Sequence, residues 1–436
     1  MSQVLTRRVA GVFATKATVL AIGLLTTYLL ARILGPAGRG AYYLALLVPI
    51  TLLTFGQLGI PSALVFQTGR GLSLDGLRTT SAFLVVVLGL ACVVPALIAR
   101  GFLMATIAPG TTELSLTLAI VAVPFLFVNT FAGAILVGRL AFKVSNLLSL
   151  IQAVSSLVLL TIVVGIAGLG VDAAVAIFLV VSVITSTIAA VAVVSLAPIQ
   201  RPSLEPLTPL LRYALKVYPA SLASFFSYRA DVFLLGIILS SPSAVGLYAL
   251  AVSLAELLFY ISDSVATAFF PHVSTAERVD ADRQVPEVCR MTLLVTAIAA
   301  LGFIPVAIVA IRVALPAFEA SIVPFCLLLP GIVALSVSKV LSGYVSGIGH
   351  PASVGKIAVT SLIVNVGTNL ALIPVLGIAG AALSSTVSYT FNAALMVVLA
   401  SRLASVRRRV LVAPTVSDVR RLITVGGSIA AGRFSL

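Results

Sequence analysis

Charge is what this sequence has least of. Asp, Glu, Lys and Arg make up 9% of its 436 residues, where a soluble domain carries about 25%; a surface solvated mainly by water is thereby excluded. Tryptophan is absent, and histidine occurs only as His272 and His350. Cys92, Cys289 and Cys326 stand far apart with no CxxC spacing. They read as small apolar helix residues, not as a disulfide framework or metal centre. There is no Walker A loop, HExxH or GxSxG, hence no machinery for ATP hydrolysis and no zinc-peptidase or serine-hydrolase chemistry. Neither enzymatic activity nor a cofactor is expected, apart from a coupling H+ or Na+ ion.

Apolar length is what it has in abundance. Hydrophobic residues reach 60% and mean hydropathy is +1.21. Apolar runs of 18 or more residues recur, long enough to cross a ~30 Å hydrocarbon core. In lipid such runs must be helices, because their backbone groups find no water to bond. The short alternating segments of a membrane β-barrel are missing. Hydropathy and Gly/Pro punctuation predict spans at 9–32, 40–67, 78–104, 112–138, 145–168, 171–196, 211–239, 243–270, 289–313, 319–347, 352–375 and 378–404. The expected fold is an all-α polytopic membrane protein of about twelve transmembrane helices. The run after Arg7 and Arg8 is too long for a cleaved signal peptide, so it is expected to be retained as the first helix.

The net charge of +14 suggests nucleic acid, yet most basic residues sit in short loops beside apolar spans. With the N-terminus inside, the inner segments hold twenty of the 27 Lys and Arg residues and the outer ones, at Arg32, Arg39, Arg100 and Arg312, hold four. That asymmetry is a topology signal. It places both termini in the cytoplasm, with a multi-pass protein in the cell (inner) membrane and no nucleic-acid partner. The basic segment 405–436 is expected to be a partly disordered tail lying along the membrane.

Two halves of the chain match one another. Counting from Pro36, Gly40, Tyr42, Leu44 and Ala45 fall at +4, +6, +8 and +9; counting from Pro242, so do Gly246, Tyr248, Leu250 and Ala251. A second echo pairs Gly165–Gly168 with Gly377–Gly380. The expected organisation is a six-helix bundle at 1–200, a pseudo-symmetric six-helix bundle at 201–404, and the tail. Six is even, so the repeats run parallel, an arrangement in which transporters place substrate at the repeat interface.

Three motifs carry a family resemblance. Leu30–Tyr42 (LARILGPAGRGAY) resembles the first-hairpin signature of the polysaccharide-transporter family. Gln57–Leu64 (QLGIPSAL) in the second helix does the same, as does Tyr228-Arg229-Ala230-Asp231 with Leu235-Gly236 in the seventh. That family belongs to the multidrug/oligosaccharidyl-lipid/polysaccharide (MOP) exporter superfamily and includes O-antigen-type flippases. The resemblance implies a MATE-like two-bundle fold and a lipid-linked oligosaccharide substrate. Polysaccharide polymerase or glycosyltransferase machinery would be its partners. Twelve helices leave no room for the extra pair of lipid II flippases.

Six charged residues fall at mid-membrane, away from the span ends, where each costs roughly 2.5–3.5 kcal/mol on insertion scales and is a functional candidate by default. Lys16, Arg229 and Lys339 are the candidates for a headgroup phosphate, which arginine binds in bidentate fashion. Snorkelling is the alternative for Lys16 and a structural ion pair for Arg229. Asp231, Glu256 and Asp263 are candidates for ion coupling. Glu256, Tyr260 and Asp263 share one face at i, i+4 and i+7, and neutralisation of the cations is their alternative role. Polar stripes include Gln152 on the fifth helix, Asn365 and Asn369 on the eleventh, and Ser385, Ser388 and Asn392 on the twelfth. They offer either a wall for sugar hydroxyls or hydrogen bonds between helices.

The leading reading is a flippase for polyprenyl-diphosphate-linked oligosaccharide, carrying it from the cytoplasmic to the outer leaflet by alternating access. A cation-coupled multidrug exporter of the same superfamily is the runner-up, although a lysine and no acid in the first helix argues against it. A membrane-embedded polymerase needs a sizeable charged outer loop, and none is present. A structural scaffold leaves the intramembrane charges unexplained.

Overall fold

Glycine and proline decide where the apolar runs bend. The computed structural model describes residues 3–69, 74–196, 203–275, 278–415, 417–418 and 420, and every regular element among them is a helix. In order these are α1 (Gln3–Gly56), α2 (Ile60–Gly69), α3 (Leu74–Ile98), α4 (Arg100–Thr106), α5 (Glu113–Val121), α6 (Val123–Gly138), α7 (Phe142–Leu160) and α8 (Val171–Val194). There follow α9 (Leu207–Leu239), α10 (Pro242–Ala255), α11 (Phe259–Thr275), α12 (Arg278–Ala314), α13 (Ile322–Gly347), α14 (Pro351–Leu376), α15 (Ile378–Leu403) and α16 (Arg408–Val412).

Among the described residues ten helical stretches are long and apolar enough to cross a membrane, and eleven if the bent α9 is one span. The stretch Ala17–Gly56 is itself two arms. Gly35 breaks it at φ 65° and ψ −177°, and Arg39 Nη1 donates to the Thr27 carbonyl at 2.7 Å. In a straight helix those residues would be ~18 Å apart along the axis, so the chain must turn sharply at Gly35. Counting both arms gives the twelve spans that hydropathy predicts. The chain is a multi-pass membrane protein. Its outward stripes agree: Val86, Leu90 and Val94 on α3 are 60%, 58% and 48% exposed, at the four-residue spacing of one helix face.

Three expectations change. Arg39, assigned to an outer loop, is 6% exposed, because the turn at Gly35 is tight enough for its guanidinium to bond the preceding arm. The predicted second span 40–67 is interrupted: Leu58 and Gly59 take φ of 49° and 77°. A Cβ at Gly59 would lie 2.4 Å from the Ala214 carbonyl oxygen, so glycine is what allows α9 to approach there. The tail does not begin loosely. Leu411 of α16 is fully buried among Val285, Cys289, Tyr344 and Ala400, while Arg290 grips Asp418 at 2.7 and 3.2 Å and the Val410 carbonyl at 2.7 Å.

The chain forms two compact units, one of Met1–Phe225 with Gly236–Leu247 and one of Phe226–Leu235 with Tyr248–Leu436. In the first, Ile60, Leu64, Phe127, Phe131, Ile135 and Leu210 build an apolar cluster. The repeat also surfaces here as a reciprocal contact. A Cβ at Gly40 would lie 1.6 Å from the Pro242 carbonyl oxygen, and one at Gly246 would lie 2.0 Å from that of Pro36. Glycine at +4 of each motif therefore permits backbone-to-backbone approach, as small residues do between membrane helices. The +8 and +9 positions match in burial too: Leu44, Ala45 and Ala251 are fully buried, Leu250 nearly so.

In the second unit, α11, α12, α13, α15 and α16 surround a cluster that includes Phe269, Val285, Val340, Tyr344 and Met396. A 3-10 turn at Glu256–Leu258 joins α10 to α11. Such a turn inside a long helix re-aims the side chains that follow it and often marks a functional hinge.

Candidate functional site

Five of the six intramembrane charges lie in the second unit: Arg229 and Asp231 on α9, Glu256 and Asp263 around the 3-10 turn, and Lys339 on α13. The sixth, Lys16, is on α1, and its side chain lies outside the described residues.

Asp231 is 4% exposed and fully engaged. The Tyr248 hydroxyl donates to its Oδ2, the Ser385 hydroxyl donates to the same oxygen at 3.1 Å, and the Val232 N–H donates to Oδ1 at 2.8 Å. Three donors on one carboxylate offset much of the cost of burying it. Glu256 lies within electrostatic reach of Arg229, Asp231 and Lys339, and Arg229 is within reach of Asp231 as well.

Lys339 is the other centre. Its Nζ lies 2.7 Å from Asp263 Oδ1, with the lysine side chain 15% exposed and the aspartate 57%. The same ammonium stands 3.9 Å from the Phe259 ring centroid and 5.9 Å from that of Tyr228. Tyr389 completes a triangle of rings, 6.3 Å from Tyr228 and 6.4 Å from Phe259. A carboxylate that exposed would be costly against lipid, so Asp263 faces water or a polar guest.

Burial varies along the face expected to carry Glu256, Tyr260 and Asp263, while both carboxylates lie within reach of Lys339. Glu256 is half-buried toward Arg229, Tyr260 is 46% exposed, and Asp263 turns to Lys339. Among the described residues no three His, Cys, Asp or Glu side chains gather closely enough to hold a metal ion.

The polar stripes differ in kind. Gln152 on α7 is exposed. Asn365 and Asn369 on α14 are buried, and Asn369 Nδ2 donates to the Asn365 carbonyl and side-chain oxygens at 2.9 and 3.0 Å. On the same unit Ser388 donates to the Ser361 carbonyl, Asn392 to the Ser361 hydroxyl, and Ser338 to Asn392. The bonds of Ser388, Asn392 and Ser338 join α13, α14 and α15, whereas that between Asn369 and Asn365 lies within α14. A separate groove of about 460 Å³ runs between α11 and α12, lined by Ile261, Val265, Val288, Met291 and Val295 with Gln284, Glu287 and Thr292. It does not include the charged cluster.

The residues that sequence reasoning passed over are the partners. In the sequence Tyr248 stands out only as a repeat position and Ser385 only as one of a stripe, and Phe259 and Tyr389 carry no signal of their own. The repeat did hold one signal. Its +6 position is Tyr42 in the first half and Tyr248 in the second, and Tyr248 is the residue that meets Asp231.

The profile of a family described as "Polysaccharide biosynthesis protein" matches residues 29–322. The chain belongs to that family. Comparison with curated proteins gives no significant sequence match. Solved structures do match. The lipid II flippase MurJ in an inward closed conformation superposes with a TM-score of 0.77 at 13% identity, covering 98% of this chain and 93% of that one. A MATE-family multidrug resistance transporter of the MOP superfamily, inward-facing, gives 0.69 at 19%, covering 88% and 94%. An outward-facing MATE structure gives 0.63 at 16%, covering 90% and 95%. At these identities the likeness is one of fold. The polysaccharide biosynthesis family member therefore has the fold of MOP-superfamily transporters.

Proposed function

We propose that this protein flips a polyprenyl-diphosphate-linked oligosaccharide from the cytoplasmic to the outer leaflet by alternating access, during surface polysaccharide biosynthesis. The observation that carries the reading is the cluster of ionisable side chains at membrane depth in the second unit, in a chain whose family is one of polysaccharide biosynthesis. Charges retained against an insertion cost mark a substrate or ion path. In this reading Arg229 and Lys339 of the second unit take the diphosphate, a role the sequence also offers Lys16, and the prenyl chain stays in the bilayer. Asp231, Glu256 and Asp263 bind the coupling ion, H+ or Na+. The basic side of the chain, with both termini, faces the cytoplasm of the cell (inner) membrane. Partner glycosyltransferases would supply the substrate on that side, and a polymerase would consume it on the other.

The test uses proteoliposomes loaded with fluorescent lipid-linked oligosaccharide. A Lys16→Ala plus Arg229→Ala variant is expected to lose at least about tenfold in translocation rate, the equivalent of one charge-assisted contact of ~1.4 kcal/mol or more. Wild-type rates in that variant would remove the proposed phosphate site. One observation favours a second reading, a cation-coupled multidrug exporter: Asp263 beside Phe259 and Tyr228 is chemistry that suits an organic cation. Efflux of cationic dyes from cells expressing the protein separates the two.

A further inference from the structure

The ammonium of Lys339 occupies a position that has the makings of a cation site. Phe259 and Asp263 are i and i+4 on α11, so ring and carboxylate present themselves on one face. The ring lies 3.9 Å from Nζ and the carboxylate oxygen 2.7 Å. Tyr228 from α9 stands 5.9 Å away, and Tyr389 from α15 braces both rings. Glu256 adds negative potential within reach of the same ammonium. Phe259 and Tyr389 are 7% and 8% exposed, whereas Asp263 is open. The arrangement is an aromatic floor with an acidic rim, the features by which proteins recognise quaternary ammonium groups. What fills it is a residue of the chain itself.

We propose that Lys339 is a built-in occupant of an aromatic–carboxylate cation site on the second unit, so that it excludes small organic cations and holds Asp263 neutralised. Removing the lysine opens a site for a monovalent quaternary ammonium. A compact ammonium on a flexible stem suits such plugging better than a planar guanidinium would. The inference deepens the flippase reading and rests on it in one respect: an anionic headgroup gains Lys339 only when Asp263 gives it up. The cation site itself stands on the geometry alone, and its test requires no transport.

The experiment measures the thermal unfolding midpoint of the purified full chain in detergent against tetramethylammonium, with neutral 3,3-dimethylbutanol as the comparison. Wild type is expected to show no saturable shift. Lys339→Ala is expected to bind tetramethylammonium saturably, about tenfold or more tighter than wild type, and to ignore the neutral alcohol. The response is expected to vanish in Lys339→Ala combined with Asp263→Asn, and to weaken with Phe259→Leu. A wild type that responds as the variant does would overturn the proposal. So would a variant that takes the alcohol equally well, or a response that survives Asp263→Asn. If Lys339→Ala does not purify folded, extraction in tetramethylammonium is expected to recover it, and failure of that recovery overturns the proposal as well. Loss of lipid flipping with an intact cation result would fault the transport reading alone.

Discussion

Asp231 shows how one buried carboxylate is made tolerable. Its hydroxyl donors, Tyr248 and Ser385, come from α10 and α15, so the acid ties three helices as well as satisfying itself. Removing it leaves two buried hydroxyls without their acceptor. Asp231→Ala is expected to cost roughly 1–3 kcal/mol, and Asp231→Asn, which keeps an acceptor oxygen, less. Read as thermal unfolding in detergent, Tyr248→Phe is expected to be costly in wild type and nearly silent in Asp231→Ala, because the bond it removes is already gone. Equal cost in both backgrounds would show that the pair is not coupled. Asp418 gives a pH prediction. Its hydrogen bonds from Arg290, first, and from Thr415 hold its pKa below the usual carboxylate value despite burial. A depressed folded-state pKa contributes stability above the ordinary value near 4 that is lost as pH falls through the folded one. The protection of amides in 408–412, taken relative to their intrinsic exchange rate at each pH, is thus expected to stay high across neutral and mildly acid pH and to fall only below about pH 4. Arg290→Ala is expected to remove the protection at every pH.

At the scale of helices, the repeat becomes physical in one contact. Gly40 and Gly246 each meet the carbonyl of the other motif's proline, and backbone cannot move aside as a side chain can. Gly40→Val and Gly246→Val are each expected to destabilise by roughly 1–3 kcal/mol as overpacked sites do. The double variant is expected to cost much less than the sum, since one bulky residue already parts the crossing. Additive costs would mean two independent sites. Much of this level was legible beforehand. Twelve apolar runs, the glycine–proline joints and the matched positions were visible because lipid imposes length and periodicity on sequence. The interruptions at Leu58–Gly59 and Glu256–Leu258 were not. Hydropathy measures how apolar a stretch is, and a break set by close approach of another helix leaves its average unchanged. Docking of α16 was hidden for a similar reason. One leucine and one aspartate in a basic stretch carry it, and their partners on α12 are more than a hundred residues away.

For the molecule as a whole, the sequence identified the costly charges but not their arrangement. Arg229, Asp231, Glu256, Asp263 and Lys339 each stood out as a charge among apolar residues. That they group on one unit, with Lys339 over an aromatic floor, depends on α9, α11, α13 and α15 converging. The family is one of polysaccharide biosynthesis and the fold is that of MOP-superfamily transporters; the proposed cargo is a lipid-linked oligosaccharide. The most direct measurement reconstitutes the purified protein in vesicles carrying a labelled polyprenyl-diphosphate oligosaccharide in the inner leaflet. A membrane-impermeant reagent then follows the label as it becomes accessible outside. The account predicts that accessibility rises with protein present, at a rate reduced by Lys16→Ala plus Arg229→Ala. It also predicts that a neutral lipid-linked sugar lacking the diphosphate stays where it is. Equal rates with and without the protein, or equal transport of the diphosphate-free lipid, would contradict it.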